Sequence, residues 1–209
     1  MKRLIHNIAL CLLSMFIFVT ALPADELLIG SVPYLDIESE TEDNFNIKYD
    51  TEANLYYIQT YDWLNTAWVI LSPEQFESLR KTIDKTLDWC QIAFDNNTAI
   101  QKELPNSNIQ SDVIWEFGDD IYFNSPYEKV SLSFDFFSTE NRNNQIMSSL
   151  VIMAPRVTST TNDYVEYKFP QMLIPEEYIQ IFKYTITEDA INDAIEKNEK
   201  TKAAESLFN

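Results

Sequence analysis

The sequence predicts an α+β protein, with an antiparallel sheet of about five to six strands and with one long helix and the C-terminal helices packed on one face. Two patterns lead to this prediction. Apolar residues alternate with polar ones over several short segments, as in half-buried strands, and they recur every three or four residues over residues 73–95, as in an amphipathic helix. The predicted strands are separated by short turns, which favours antiparallel neighbours.

Residues 1–21 have the three parts of a cleavable signal peptide. Two basic residues stand at its start, and residues 8–19 are apolar apart from one serine. Small residues follow, so that we expect cleavage after Ala21 or, as an alternative, after Ala24. The chain is therefore predicted to be exported, to the periplasm or the medium of a bacterium.

Two other interpretations of this leader stay open. An uncleaved anchor would use the same apolar run, which is shorter than the roughly 20 residues of a membrane span. A lipoprotein would be modified at Cys11, but Leu10 before it is large for a lipidation motif. Cleavage fits the segment better than either, and we expect no membrane span in the mature chain.

Cleavage also changes the chemistry that the chain can perform. The only histidine, His6, and one of the two cysteines leave with the leader. The mature chain then lacks the imidazole of a Ser-His-Asp triad, a Cys-His pair or a His-ligated zinc site. Cys90 alone remains, so that an internal disulfide cannot form. We predict no cofactor.

The charge of the chain argues against nucleic acid as a partner. Cleavage removes two of the 15 basic residues and no acidic one, so that 13 basic residues face 33 acidic ones and the formal charge changes from −18 to −20. A protein of this sign repels phosphate backbones, and no cluster of Lys or Arg stands out. With only two glycines, the chain also lacks a glycine-rich phosphate-binding loop.

Residues 22–52 are predicted to form an acidic tether before a single α+β domain of residues 53–209. Nine acids and one lysine occur between residues 25 and 52. This composition is typical of a solvated segment, although one strand around residues 27–32 is compatible with it.

The domain begins with a predicted hairpin over residues 54–71, and the predicted helix follows. Ser72 is a suitable N-cap, with a proline at the first helical position and a glutamine at the third. The helix is expected to run from Pro73 to Asp95 and to bury its apolar stripe, which consists of Phe76, Leu79, Ile83, Leu87, Cys90 and Phe94.

Alternating segments predict further strands, and two helices end the chain. The cleanest alternation covers residues 130–136. Pro175 opens a short helix, and Thr187 is the predicted N-cap of the last one. The other predicted strands cover residues 112–117, 121–124, 146–153 and 164–169.

The candidate ligand-binding residues are aromatic. Tyrosines and tryptophans gather around the first predicted hairpin, where alternation puts rings on both faces. An exposed ring can stack on a sugar or pack against a peptide, whereas a core rich in aromatics explains the same residues without a ligand. The predicted ligand-binding residues are Tyr57, Tyr61, Trp63 and Trp89.

A group of acids is the alternative site. Glycoside hydrolysis requires two carboxylates roughly 5 to 10 Å apart, and Ca²⁺ prefers oxygen ligands such as those of Asp119, Asp120 and Asn124. A solvated outer face explains the acids as well, and we predict no catalytic residue and no metal ligand. The group consists of Glu116, Asp119, Asp120 and Asp135.

These observations favour an exported, non-enzymatic binding or interaction protein whose ligand is a protein or a glycan. The alternative is a carboxylate-dependent hydrolase that acts on glycans. Two acids that face each other in a concave, aromatic-lined pocket would favour the hydrolase. Acids that point outward from the sheet would favour binding.

Overall fold

The computed structural model describes residues 26–62, 65–105, 107–118, 120–124 and 129–207, so that the predicted signal peptide lies outside the described residues. Strands hold 46% of the described residues, and three helices accompany them. In chain order the elements are β1 (Glu26–Asp36), β2 (Thr41–Asp50), β3 (Leu55–Asp62), β4 (Asn65–Leu71), α1 (Pro73–Asp95), β5 (Ile100–Glu103), β6 (Ile109–Phe117), β7 (Asp120–Phe123), β8 (Val130–Glu140), β9 (Ile146–Met153), β10 (Val157–Thr158), β11 (Glu166–Tyr167), β12 (Met172–Pro175), α2 (Glu176–Thr185) and α3 (Glu188–Glu205).

Eight of the strands close into an antiparallel barrel. Their order is β8-β9-β12-β1-β2-β3-β4-β6, and the ring closes where residues 109–111 of β6 pair with residues 130–132 of β8. β5 adds to the sheet beside β8, and β7 adds to it beside β6. The predicted α+β fold, with an open sheet of five to six strands, is therefore wrong.

The physical reason is that closure depends on pairings between distant parts of the chain. β1 pairs with β12, with Leu35 opposite Leu173, and β6 pairs with β8. Alternation within one strand shows that one of its faces is buried, but an open sheet and a closed barrel give the same alternation.

Residues 26–50, predicted to belong to an acidic tether, instead form β1 and β2. Ten residue pairs join these two strands, and Val32, Phe45 and Ile47 are fully buried. The acids lie mainly in the turn between the strands and in the exposed start of β2. The average composition of the segment therefore concealed two barrel strands.

α1 has the bounds that the sequence predicts, and it begins with the predicted capping box. The hydroxyl of Ser72 accepts a hydrogen bond from Gln75 N at 3.3 Å, and Gln75 Oε1 accepts one from Ser72 N at 2.6 Å. Phe94 is exposed rather than buried, because Ala93 occupies the inward position of the last turn. The buried stripe consists of Phe76, Leu79, Thr82, Ile83, Thr86, Cys90 and Ala93.

The helices pack against the inner side of the barrel rather than on one face of an open sheet. α1 contacts β3, β4, β6, β8 and β9, and α2 contacts β1, β9 and β12. Their buried side chains belong to the same core as the inward residues of the strands. No described helix is both long enough and apolar enough to cross a membrane.

The two-residue strands β10 and β11 form a separate ribbon that packs on the opposite end of the barrel from the start of α1. The hydroxyls of Tyr167 and Thr60 are 2.9 Å apart, and the rings of Tyr167 and Trp115 lie 6.5 Å apart. The stretch of residues 164–169, predicted as a strand, is thus a strand only at residues 166–167.

Candidate functional site

Strand register places a row of polar and aromatic side chains on the outer face of the barrel. Directly paired residues of neighbouring antiparallel strands share a face. None of the residues in the row belongs to the main core, which takes the opposite side of the strands. From β1 to β7 the row consists of Ser31, Asn46, Gln59, Trp68, Ile114 and Phe123.

Hydrogen bonds join the polar end of this row to Tyr61. Asn46 Nδ2 donates to the Tyr61 hydroxyl at 2.9 Å and to Gln59 Oε1 at 3.3 Å, and the Tyr61 hydroxyl donates to Gln59 Oε1 at 2.7 Å. Ser31 Oγ donates to Asn46 Oδ1 at 2.5 Å. The bonds hold the phenol oxygen of Tyr61, while the residue stays 41% exposed.

Trp68 lies beside Gln59 in the row. It is only 7% exposed, and its indole N–H has no hydrogen-bond acceptor among the described residues. A buried donor without an acceptor costs roughly 1–3 kcal/mol.

The other end of the row is apolar and exposed. Ile121 and Phe123 are exposed on β7, where they pair with Glu116 and Ile114 of β6. The surface thus has an amide and hydroxyl half and an apolar half, with Tyr61 and Trp68 between them. We define the outer-face patch as Ser31, Asn46, Gln59, Tyr61, Trp68, Ile114, Ile121 and Phe123.

Two of the predicted ligand-binding residues, Tyr57 and Tyr61, lie on the same face of β3, because they are four positions apart and side chains alternate between the two faces of a strand. Tyr57 is only 5% exposed, so that its ring is packed. Burial raises the pKa of Tyr57 to about 12, and the carboxylates of Asp50 and Glu26 act in the same direction. Of the two tyrosines, Tyr61 alone presents a ring to solvent. Trp63, another predicted residue, lies outside the described residues.

Trp89 lies at a different place, on α1. Its ring packs edge-on against Phe136 of β8, with 5.6 Å between the ring centroids. The ammonium groups of Lys85 and Lys102 are 5.7 and 5.6 Å from the centroid of the Trp89 ring. The structure therefore groups Tyr57 with Tyr61 and puts Trp89 in a separate, basic environment.

Among the described members of the predicted acidic group, Glu116 forms no carboxylate pair with Asp120 or Asp135. In the β6–β7 hairpin, Glu116 pairs with Ile121 and Asp120 pairs with Phe117, which puts the two acids on opposite faces. Asp119 lies outside the described residues.

Asp135 is remote from Glu116. On β6, Ile109 is seven residues before Glu116, and it lies opposite Leu132 of β8. Because the two strands are antiparallel, Asp135, three residues after Leu132, lies three more positions away from Glu116. At roughly 3.3 Å per residue, this separates Glu116 from Asp135 by about 30 Å along the strands. The spacing does not suit glycoside hydrolysis.

Of the Ca²⁺ ligands that the sequence suggested, the structure describes Asp120 and Asn124. Asn124 Oδ1 accepts a hydrogen bond from Val113 N at 2.7 Å, which commits this oxygen to the backbone. Across the described ranges, no three or more His, Cys, Asp and Glu side chains are grouped so that they could hold a metal ion.

Cys90 is buried on α1, as its place in the apolar stripe predicts. Burial raises the pKa of the Cys90 thiol to about 12, and Glu176 acts in the same direction. At neutral pH the group is a neutral thiol, and the thiolate that a nucleophile requires is not formed.

The polar half of the outer-face patch is absent from the residues predicted from the sequence. Ser31 and Asn46 fell in the predicted tether, and Gln59 was surrounded by more conspicuous aromatic residues. A usable signal was present, since Asn44, Asn46 and Lys48 alternate with Phe45 and Ile47.

The fold defines a class of protein, a small antiparallel barrel that contains helices on its inner side. The sequence matches no family model, and no similar curated protein and no similar solved structure was found. The function is therefore inferred from the fold and from the outer-face patch.

Proposed function

We propose that the mature chain is an exported, non-enzymatic binding protein that holds an uncharged glycan on the outer-face patch. The observation that carries this proposal is the exposed ring of Tyr61, which a network of amides fixes in place. A ring that is held and exposed binds without losing much conformational freedom.

The chemistry of the patch fits a sugar. A pyranose presents an apolar C–H face that can pack on an aromatic ring, and it presents hydroxyls that can hydrogen-bond to neighbouring amides. Among the described residues, the amide nitrogen of Gln59 has no acceptor, and the residue is 5% exposed, so that any ligand hydroxyl would have to meet it at the edge of the patch. The eight residues of the patch are uncharged, and Glu116, which pairs with Ile121 and shares its face, would repel an acidic ligand, so that a neutral glycan is favoured over an acidic one.

The positions of the described acids in the predicted acidic group support a binding function over glycan hydrolysis. Glu116 and Asp120 point to opposite faces of one hairpin, and Asp135 is about 30 Å from Glu116 along the strands. The predicted leader supports an exported protein, which meets glycans of the cell envelope or of the surroundings.

The test is the retention of a panel of neutral and acidic glycans by the protein purified after export. We expect a neutral glycan to bind and Tyr61→Ala to weaken this binding at least tenfold, or about 1.4 kcal/mol, because the ring is lost. Tyr61→Phe keeps the ring and loses the bonds to Asn46 and Gln59, and should weaken binding less. Tyr164→Ala is the matched control, since Tyr164 is 97% exposed on the segment between β10 and β11.

Three outcomes would contradict the proposal. The wild-type protein could retain no neutral glycan, or Tyr61→Ala and Tyr164→Ala could bind it equally well. Release of shorter glycans during the incubation would show that the protein is a hydrolase instead. Thermal unfolding of each variant identifies any loss of binding that comes from loss of the fold.

A further inference from the structure

A cleft separates α1 from the segment that follows β5. Its volume is about 230 Å³. Lys81 and Lys85 of α1 line one side, and Leu104, Pro105 and Ser107 line the other. We call this the lysine cleft. It is separate from the outer-face patch, which lies on β1–β4, β6 and β7.

The cleft itself is lined by two lysines of α1, and a third lysine, on β5, lies outside this lining but close to the same aromatic ring as one of them. Lys81, Lys85 and Trp89 are four residues apart in turn, so that they follow one face of α1. Lys102 comes from β5, and its ammonium group lies 5.6 Å from the centroid of the Trp89 ring. The ammonium group of Lys85 is 5.7 Å from the same centroid. Two positive charges are thus held close to one ring.

Two carboxylates near the cleft form salt bridges with other basic residues or with Lys81. Glu77 contacts both Arg80 and Lys81, at 3.5 and 3.7 Å, and Asp84 pairs with Lys183 at 2.9 Å. Among the described residues, neither Lys85 nor Lys102 makes a salt bridge.

Repulsion between these lysines favours an anion in the cleft. Like charges at positions i and i+4 of a helix destabilise it, and Lys81 and Lys85 have this spacing. The net charge of −18 does not prevent anion binding here, because charges beyond a Debye length of about 8 Å are largely screened at physiological salt. Two nearby carboxylates form no salt bridge among the described residues: Asp88 is exposed and three residues after Lys85, and Glu103, next to Lys102, accepts a hydrogen bond from Asn108 Nδ2 at 3.2 Å.

The hydroxyls of the cleft have little part in recognition. Ser78 donates to Glu74 O, Thr82 donates to Ser78 O, and Ser107 donates to Leu104 O. Their protons are committed to backbone oxygens, so that the ammonium groups supply the free donors. The cleft therefore selects by charge more than by geometry.

We propose that the lysine cleft binds a small oxyanion of the phosphate or sulfate class. The proposal is independent of the glycan-binding function, because it concerns different residues and a different ligand chemistry. The volume of the cleft leaves room for an oxyanion group, either a free ion or the terminal group of a small ester.

The experiment follows the indole N–H signal of Trp89 by NMR, with Trp89→Phe to assign it. Inorganic phosphate, sulfate and glucose 6-phosphate are titrated at constant ionic strength against potassium chloride. We expect saturable shifts with the oxyanions and none with chloride. Lys85→Gln combined with Lys102→Gln should weaken binding at least tenfold, whereas Asp88→Asn should strengthen it about two- to threefold.

The matched control combines Lys197→Gln with Lys200→Gln, which removes the same charge from the exposed side of α3. It should bind the oxyanions as the wild type does. Binding of the inorganic ions would support the proposal with a free ion as the ligand. Binding of glucose 6-phosphate without binding of the inorganic ions would support it with a phosphate ester as the ligand. Equal shifts in the two double variants, or equal shifts with chloride, would overturn it.

Discussion

At the scale of single residues, Tyr57 and Tyr61 show how one strand face gives two different environments. Both side chains point outward from β3, but Tyr57 is packed and Tyr61 is exposed. Tyr57 pairs with Lys48 and Ile70 on the neighbouring strands, in the middle of the sheet. Tyr61 lies near the end of β3. The sequence predicts both tyrosines as ligand-binding residues. Their neighbours on the adjacent strands decide which of the two rings is available to a ligand.

The raised pKa of Tyr57 predicts a loss of stability at alkaline pH. Its pKa is about 12 in the folded chain against an ordinary value of 10.0, so that the unfolded chain loses the proton first. The contribution of Tyr57 is fully present below pH 10 and is lost as the pH rises from 10 to 12. The slope is about 1.4 kcal/mol per pH unit.

Urea unfolding at several pH values measures this effect. We expect Tyr57→Phe to reduce the slope of the free energy of unfolding between pH 10 and 12 by about 1.4 kcal/mol per pH unit. Cys90, whose pKa is also raised by burial, contributes to the slope equally in both proteins. The exposed residue Tyr164 is the control, and Tyr164→Phe should leave the slope unchanged. Identical slopes in the wild type and Tyr57→Phe would show that the phenol is not protected by the fold.

At the scale of elements, helices were easier to predict than strands. α1 has local signals at both ends, with Ser72 as N-cap and asparagines after Asp95, and its bounds follow from these signals. Thr187 caps α3 in the same way, with its hydroxyl accepting from Ala190 N at 3.2 Å. β1 and β2 lack such local signals, because their acidic turn dominates the composition, and the pairing with β3 and β12 decides their structure.

At Gly30, β1 lies close to Thr185 of α2. The register of β1 with β2 shifts between Leu28 and Gly30, and a Cβ atom at Gly30 would lie 2.9 Å from Thr185 Cγ2. We expect Gly30→Ala to lower the free energy of unfolding by about 1–3 kcal/mol, because two packed elements would have to separate. Thr185→Ser removes the contacting methyl group, so that the double variant should recover part of this loss.

Gly118 provides the contrast for this double-mutant cycle. Its φ is +64°, and a Cβ atom there would meet nothing within 4 Å. Gly118→Ala should therefore cost about 1 kcal/mol through backbone strain, and Thr185→Ser should not alter this cost. If Thr185→Ser failed to relieve Gly30→Ala, close packing between β1 and α2 would not explain the glycine.

At the scale of the whole molecule, closure of the barrel decides both the fold and the site. Asn46, Gln59 and Trp68 come from three consecutive strands, but the face they share is defined only when β1 and β2 belong to the sheet. Tyr61 could be predicted because its ring is conspicuous in the sequence. The hydrogen bonds of Tyr61 with Asn46 and Gln59 could not be predicted, because they depend on the register of β2 and β3. The lysine cleft could not be predicted either, because it depends on the packing of α1 beside the segment after β5.

The shared core of strands and helices predicts a single cooperative unfolding transition. Phe182 of α2 packs on Phe45 of β2, with 5.2 Å between the ring centroids, and Phe134 of β8 belongs to the same core. We therefore expect Phe182→Ala and Phe134→Ala each to lower the free energy of unfolding by about 3–5 kcal/mol. Tyr184→Ala, at an exposed position of α2, should stay within about 0.5 kcal/mol of the wild type.

Urea unfolding followed by far-UV circular dichroism and by tryptophan fluorescence measures this cooperativity. The two signals should give the same midpoint in the wild type and in each variant, because the tryptophans of the strands and the backbone of the helices lose one common core. Helices that formed an independent layer would lose their dichroism at a lower urea concentration in Phe182→Ala, while the fluorescence midpoint stayed that of the wild type. That separation would contradict a barrel stabilised from its inner side by α1 and α2.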